Sequence, residues 1–111
     1  MGVDINVYLV MGTEVGWDDS FSDAYDAVYD DGDTPAVIMD GMCGDYIVFG
    51  QLLWDSGNFR WGVGYDLINK IDMDSLPKIE AEYKQAFVKK FPTFAHYMDR
   101  PFDLLVFTHV S

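Results

Sequence analysis

The chain has 111 residues, half of them apolar, with eight Phe, seven Tyr and three Trp, which is enough for one domain with a core of its own and excludes disorder. Its single cysteine, Cys43, excludes an internal disulfide, and no apolar run approaches the ~20 residues that span a bilayer. The net charge of −12 excludes attraction to nucleic acid or to an anionic membrane surface.

The opening MGVDINVYLV lacks a basic leader region and carries Asp4, so it does not read as a signal peptide. Gly2 is followed by Asn6 where a myristoylation signal needs Ser or Thr, and the expected location is the cytoplasm. Val3, Ile5, Val7, Leu9 and Met11 alternate with Asp4, Asn6, Tyr8 and Val10, the period of a half-buried strand, after which Gly12 and Gly16 loosen the chain. Residues 19–30 follow a helical period, with Phe21, Ala24, Tyr25 and Val28 on one face, and Gly32, Asp33 and Pro35 end that helix.

AVIM (36–39) predicts a short strand, and the turn-rich DGMCGD (40–45) leads into a second, YIVFGQLLW (46–54). DSGN (55–58) predicts a hairpin turn, with FRWGV (59–63) as a weaker returning strand. A long helix is expected from about Ser75, with Pro77 in its first turn and Leu76, Ile79, Tyr83, Ala86 and Phe87 as its buried stripe. Phe91-Pro92 breaks it, FAHYM (94–98) adds a short helical turn, and FDLLVFTHV (102–110) predicts a strand apolar on both faces, suited to a covered or central position.

The order β-α-β-β-(β)-α-β over 1–111 predicts a single small α+β domain, a mixed or antiparallel sheet with two helices packed on one face. Without the weak strand the order is that of the split βαβ, ferredoxin-like pattern.

Motifs for chemistry are sparse. Gly62-Val63-Gly64 lacks the third glycine of a dinucleotide fingerprint, since Leu67 stands in its place, and no phosphate-binding loop occurs. Asp30, Asp31 and Asp33 offer hard oxygen ligands, but the twelfth position of a calcium loop counted from Asp30 or Asp31 is Gly41 or Met42. Asp72 and Asp74 precede the long helix, where acids favour the positive end of its dipole. His96 and His109 lie far from Cys43 in sequence, and no serine elbow exists. These patterns name neither a catalytic residue, a resident metal nor a cofactor.

Charge is the informative feature. Residues 1–59 hold twelve acids and no lysine or arginine, whereas residues 60–111 balance seven acids with seven bases. On a helical wheel Asp19, Asp23, Asp26 and Asp30 fall within about 60° of one another, opposite the apolar stripe. Solvated faces usually mix signs, because like charges at i,i+4 oppose the helix by about 0.2–0.5 kcal/mol a pair. Asp26, Asp30 and Asp31 also crowd the helix C-terminus, where the dipole prefers cations. A local rule broken without visible compensation is where function is expected.

Carboxylates four residues apart stand about 6 Å apart along a helix axis, comparable to successive phosphates of a strand. The pattern therefore predicts a non-enzymatic acidic inhibitor or interaction protein that binds a basic, nucleic-acid-binding protein or nuclease. It would act as a nucleic-acid mimic of the anti-restriction or anti-CRISPR type used by phages, or as an immunity protein. The binding residues are Asp18, Asp19, Asp23, Asp26, Asp30, Asp31 and Asp33, with Trp54 and Trp61 beside the hairpin turn as aromatic anchors. The alternative is a small divalent-metal- or ligand-binding domain or enzyme that uses the Asp30, Asp31 and Asp33 cluster.

Overall fold

The computed structural model describes residues 5–56 and 71–110. The weak strand expected at 59–63, the tip of the hairpin and Trp61 lie outside the described residues. The elements are β1 (Ile5–Gly16), α1 (Asp19–Val28), β2 (Val37–Met39), β3 (Tyr46–Asp55), a 3₁₀ turn (Met73–Ser75), α2 (Leu76–Lys90), a 3₁₀ segment (Pro92–Asp99) and β4 (Asp103–Val110).

The four strands form one sheet in the order β2-β3-β1-β4, antiparallel at every pairing. β3 thus lies between β1 and β2, as a split β-α-β unit requires. Both helices pack on one face of this sheet. Met11 and Val15 of β1 and Ile47 and Phe49 of β3 meet Phe21 of α1 and Leu76, Tyr83 and Phe87 of α2 in one core, completed by Phe91, Met98 and Phe102. Phe21 is fully buried and its ring touches six others, which makes it the centre of that core.

Helix boundaries follow local chemistry. α2 starts with Pro77 in its first turn and ends at Phe91, whose backbone (φ −126°, ψ 64°) leaves the helix before Pro92. Its stripe is as expected at Leu76, Tyr83 and Phe87, whereas Ala86 is exposed.

The opposite face of the sheet behaves differently. Tyr46 is registered against Gly16 at one end of β1, and His109 against Asn6 near the other. Ten residues of extended strand span roughly 33 Å. Yet Tyr46 Oη lies 2.7 Å from His109 Nδ1, so the sheet coils until two diagonal corners meet. Tyr8 and Phe107 join the same aromatic group, with centroids 5.6–6.1 Å apart. Val10 and Val48, on this helix-free face, are buried.

Gly12 faces Gly50 across the β1–β3 pair. A Cβ on Gly12 would collide with the Phe49 carbonyl oxygen and stand 2.9 Å from Gly50 Cα; one on Gly50 would collide with the Met11 carbonyl oxygen and stand 2.6 Å from Gly12 Cα. The sequence reads Gly12 as loosening the chain, but the strand runs through it to Gly16, because the glycine serves close backbone approach. A β-bulge follows, with Leu9 opposite Trp54 and Val10 opposite Leu52, which leaves Leu53 as the extra residue.

Two expectations are corrected. β4 lies at the end of the sheet among the described residues, and the strands paired on both sides are β1 and β3. The apolar residues of β4 do face both ways, with Leu105 and Phe107 on the coiled face beside His109. Leu104 and Val106 stand exposed on the helix side, because the helices cover only the Met11–Val15 end of β1. Ile5 and Val7, read from their alternation as buried, are exposed for the same reason.

Candidate functional site

The acidic segment is positioned by a capped helix. Asp18 is the N-cap of α1, with an extended backbone (φ −135°, ψ 107°), and its Oδ1 accepts from the N–H of Ser20 at 2.9 Å and of Phe21 at 3.2 Å. Its Oδ2 accepts from the Tyr97 hydroxyl. That bond, ahead of the two main-chain donors, holds the Asp18 carboxyl below its ordinary range, while burial and then the same bond push Tyr97 up to about 12. Asp18 therefore anchors the helix to the 3₁₀ segment, and its carboxylate is engaged.

A folded-state pKa below the unfolded one contributes stability above the unfolded value and loses it as pH falls through the folded value. Asp18→Ala is expected to cost about 1 kcal/mol near neutrality and to flatten the loss of stability below about pH 4. Urea titrations across that range measure both; an unchanged acid limb would remove Asp18 from this role.

Outward from the cap, Phe21, Ala24, Tyr25 and Val28 pack on the core, while Asp19, Asp23 and Asp26 stand exposed. The indole N–H of Trp17 donates to Asp19 Oδ1 at 2.8 Å and fixes that carboxylate at the helix start. Asp30 is exposed too, but α1 ends at Val28, so Asp30 sits in the turn after the helix and not on its wheel. The Val28 carbonyl accepts from the Asp31 N–H at 2.9 Å and the Thr34 hydroxyl at 2.6 Å, which closes that turn.

Asp31 and Asp33 are compensated, contrary to the sequence reading. Lys90, from the last turn of α2, donates to Asp31 Oδ2 at 2.7 Å and to Asp33 Oδ1 at 2.8 Å, and its side chain is only 17% exposed. It supplies the cation that the end of α1 prefers. The hydrogen bonds to Asp31 and then Asp33 raise the Lys90 pKa, and Lys90 lowers that of Asp33. A divalent ion at this cluster would have to displace the ammonium group.

The other salt bridges among the described residues join Lys78 to Glu82 and Lys84 to Glu80, within α2. None reaches Asp19, Asp23, Asp26 or Asp30. Trp54 is half-buried in β3 opposite Leu9, so it belongs to the sheet and not to the acidic face.

Polar groups outside the acidic segment are mostly engaged elsewhere. Asp40 is buried at the start of the DGMCGD turn, its oxygens accepting from the N–H of Cys43 at 3.1 Å and of Asp45 at 3.0 Å. Those main-chain donors lower its pKa, and Gly44 (φ 68°) completes the loop. Asp40, Cys43 and Asp45 place one oxygen or sulfur each within 4.8 Å of one another, but both Asp40 oxygens already serve the turn. His109 is buried against Tyr46, and His96 is exposed beside Tyr97. An open groove of about 570 Å³ between β3 and α2 has Glu82 and Tyr83 on its wall, and the Tyr83 hydroxyl donates to the Ala36 carbonyl.

Sequence reasoning missed Lys90 and Tyr97, which come from distant segments and leave no local pattern. It read DGMCGD (40–45) as a turn, but not that the Asp40 carboxylate holds that turn together. No helix among the described residues is long and apolar enough to cross a membrane. No family model, curated protein or solved structure matches the chain.

Proposed function

We propose that this protein is a non-enzymatic inhibitor whose acidic α1 face occupies a lysine- and arginine-rich surface on a nucleic-acid-binding protein. The observation that carries this reading is a division of labour among the carboxylates. Asp18, Asp31 and Asp33 are held by Tyr97 and Lys90, while Asp19, Asp23, Asp26 and Asp30 project outward with no cation on them among the described residues. The chain is pinned just before the helix and in the turn after it, and the carboxylates without a cation lie between the pins. A rigid row of like charges is pre-organised for a partner that neutralises it, and it speeds association with a basic surface.

The test replaces Asp19, Asp23, Asp26 and Asp30 together by asparagine. Two like-charge pairs within the helix, 19/23 and 23/26, disappear, so stability should hold or rise by up to about 1 kcal/mol. Proteins captured by the wild-type chain and released by competing double-stranded DNA should bind the variant at least ~10-fold more slowly, with a flatter salt dependence. A folded variant that retains full binding reduces the stripe to a solvated face. A gel shift showing micromolar binding of DNA by the chain itself would also overturn the proposal, since uncompensated acids repel phosphate.

A further inference from the structure

The charged face is not the only exposed surface that solvation leaves unexplained. β4 is an edge strand eight residues long among the described residues, and it pairs with β1 without a bulge. Natural edges are usually blunted by lysine, proline, bulges or brevity. Leu104–Val110 carries no formal charge and no proline, in a chain whose net charge is −12. Its helix-side face is open: Val106 is 70% exposed, Leu104 40% and Thr108 is exposed too, while on β1 Val7, opposite Thr108, and Ile5 (63%), opposite Val110, continue the exposed face.

We propose that β4 is the interface of a homodimer, in which two copies pair their β4 strands antiparallel about a two-fold axis and extend the sheet to eight strands. The pairing commits to a register. A two-fold perpendicular to the sheet keeps helix-side residues opposite helix-side residues, and centring it on Val106 brings all of Asp103–His109 into the ladder. Val106 then faces Val106 of the second copy, and Leu104 faces Thr108.

Charge selects the occupant. Asp103, the one formally charged residue of β4, falls opposite His109 of the second copy and not opposite another Asp103. Both lie on the coiled face, since Asp103 and His109 register with Gly12 and Asn6 of β1. An uncharged edge complements a strand of its own kind, whereas the basic partner proposed for α1 finds no acid along Leu104–Val110. The dimer thus uses a surface distinct from the acidic face, and either reading can fail alone.

Sedimentation equilibrium of the full chain, from micromolar to submillimolar concentration, tests this. The wild type should pass from one-chain to two-chain mass. Val106→Lys, and separately Thr108→Lys at an already exposed position, should weaken the dimer at least ~10-fold with unchanged circular dichroism. Val88→Lys, at an apolar position on α2 as exposed as Leu104 (40%), should leave it intact. A wild-type chain that stays monomeric throughout overturns the proposal, as does a dimer that survives Thr108→Lys or is lost equally with Val88→Lys.

Discussion

Gly12→Ala is expected to remove about 3 kcal/mol or more of folding stability, the upper range for forcing atoms into a packed site. The added methyl would meet main-chain atoms of Phe49 and Gly50, and neither can swing aside as a side chain could. Relief requires β1 and β3 to separate where the two glycines face each other. Gly16→Ala at the end of the same strand meets nothing within 4 Å and should change stability by no more than about 0.5 kcal/mol. Urea titration of the two variants makes the comparison. Equal midpoints would mean that the β1–β3 approach is looser than the Gly12–Gly50 facing implies.

Phe21→Ala should cost about 3–5 kcal/mol. Its ring centroid lies 5.0 Å from Phe49 and Phe91, 5.2 Å from Phe94 and 5.8 Å from Phe87, so truncation opens a cavity that four elements share. A domain of ordinary stability has only about 5–15 kcal/mol in total. The variant should therefore melt far lower and lose partner binding with its fold. The four-asparagine variant should do the opposite, keeping its fold while losing binding. A Phe21→Ala protein with an unchanged melting curve would mean that α1 is not anchored through this ring.

What the sequence made legible was whatever repeats at short range. The period of Phe21, Ala24, Tyr25 and Val28 identified the buried face of α1, and all four pack on the core. The helix–strand order likewise pointed to one sheet with both helices on one face. Legibility ended where meaning depends on a distant neighbour. Apolar residues on both faces of 102–110 report partial burial, but they cannot say that a strand stands on one side only. Gly12 reads alike as a break or a close approach until Gly50 is known to face it. In the acidic segment the sequence could group seven carboxylates, but not sort them. Only Tyr97 and Lys90, from the far end of the chain, single out Asp18, Asp31 and Asp33 as tied into the fold.

The same long-range pairing bears on how the chain reaches its fold. β1 is the strand that both β3 and β4 need, and its register with β4 joins Ile5 to Val110 and Gly12 to Asp103, almost the widest sequence separations available. Loop-closure entropy must be met before such contacts return any free energy, which places folding toward the slow, millisecond-to-second side for a chain this short. Until β4 docks, β1 presents an open edge flanked by Ile5, Val7 and Leu9, a template for pairing between chains. Refolding yield should accordingly fall as protein concentration rises, and the sensitive interval should be the wait for β4.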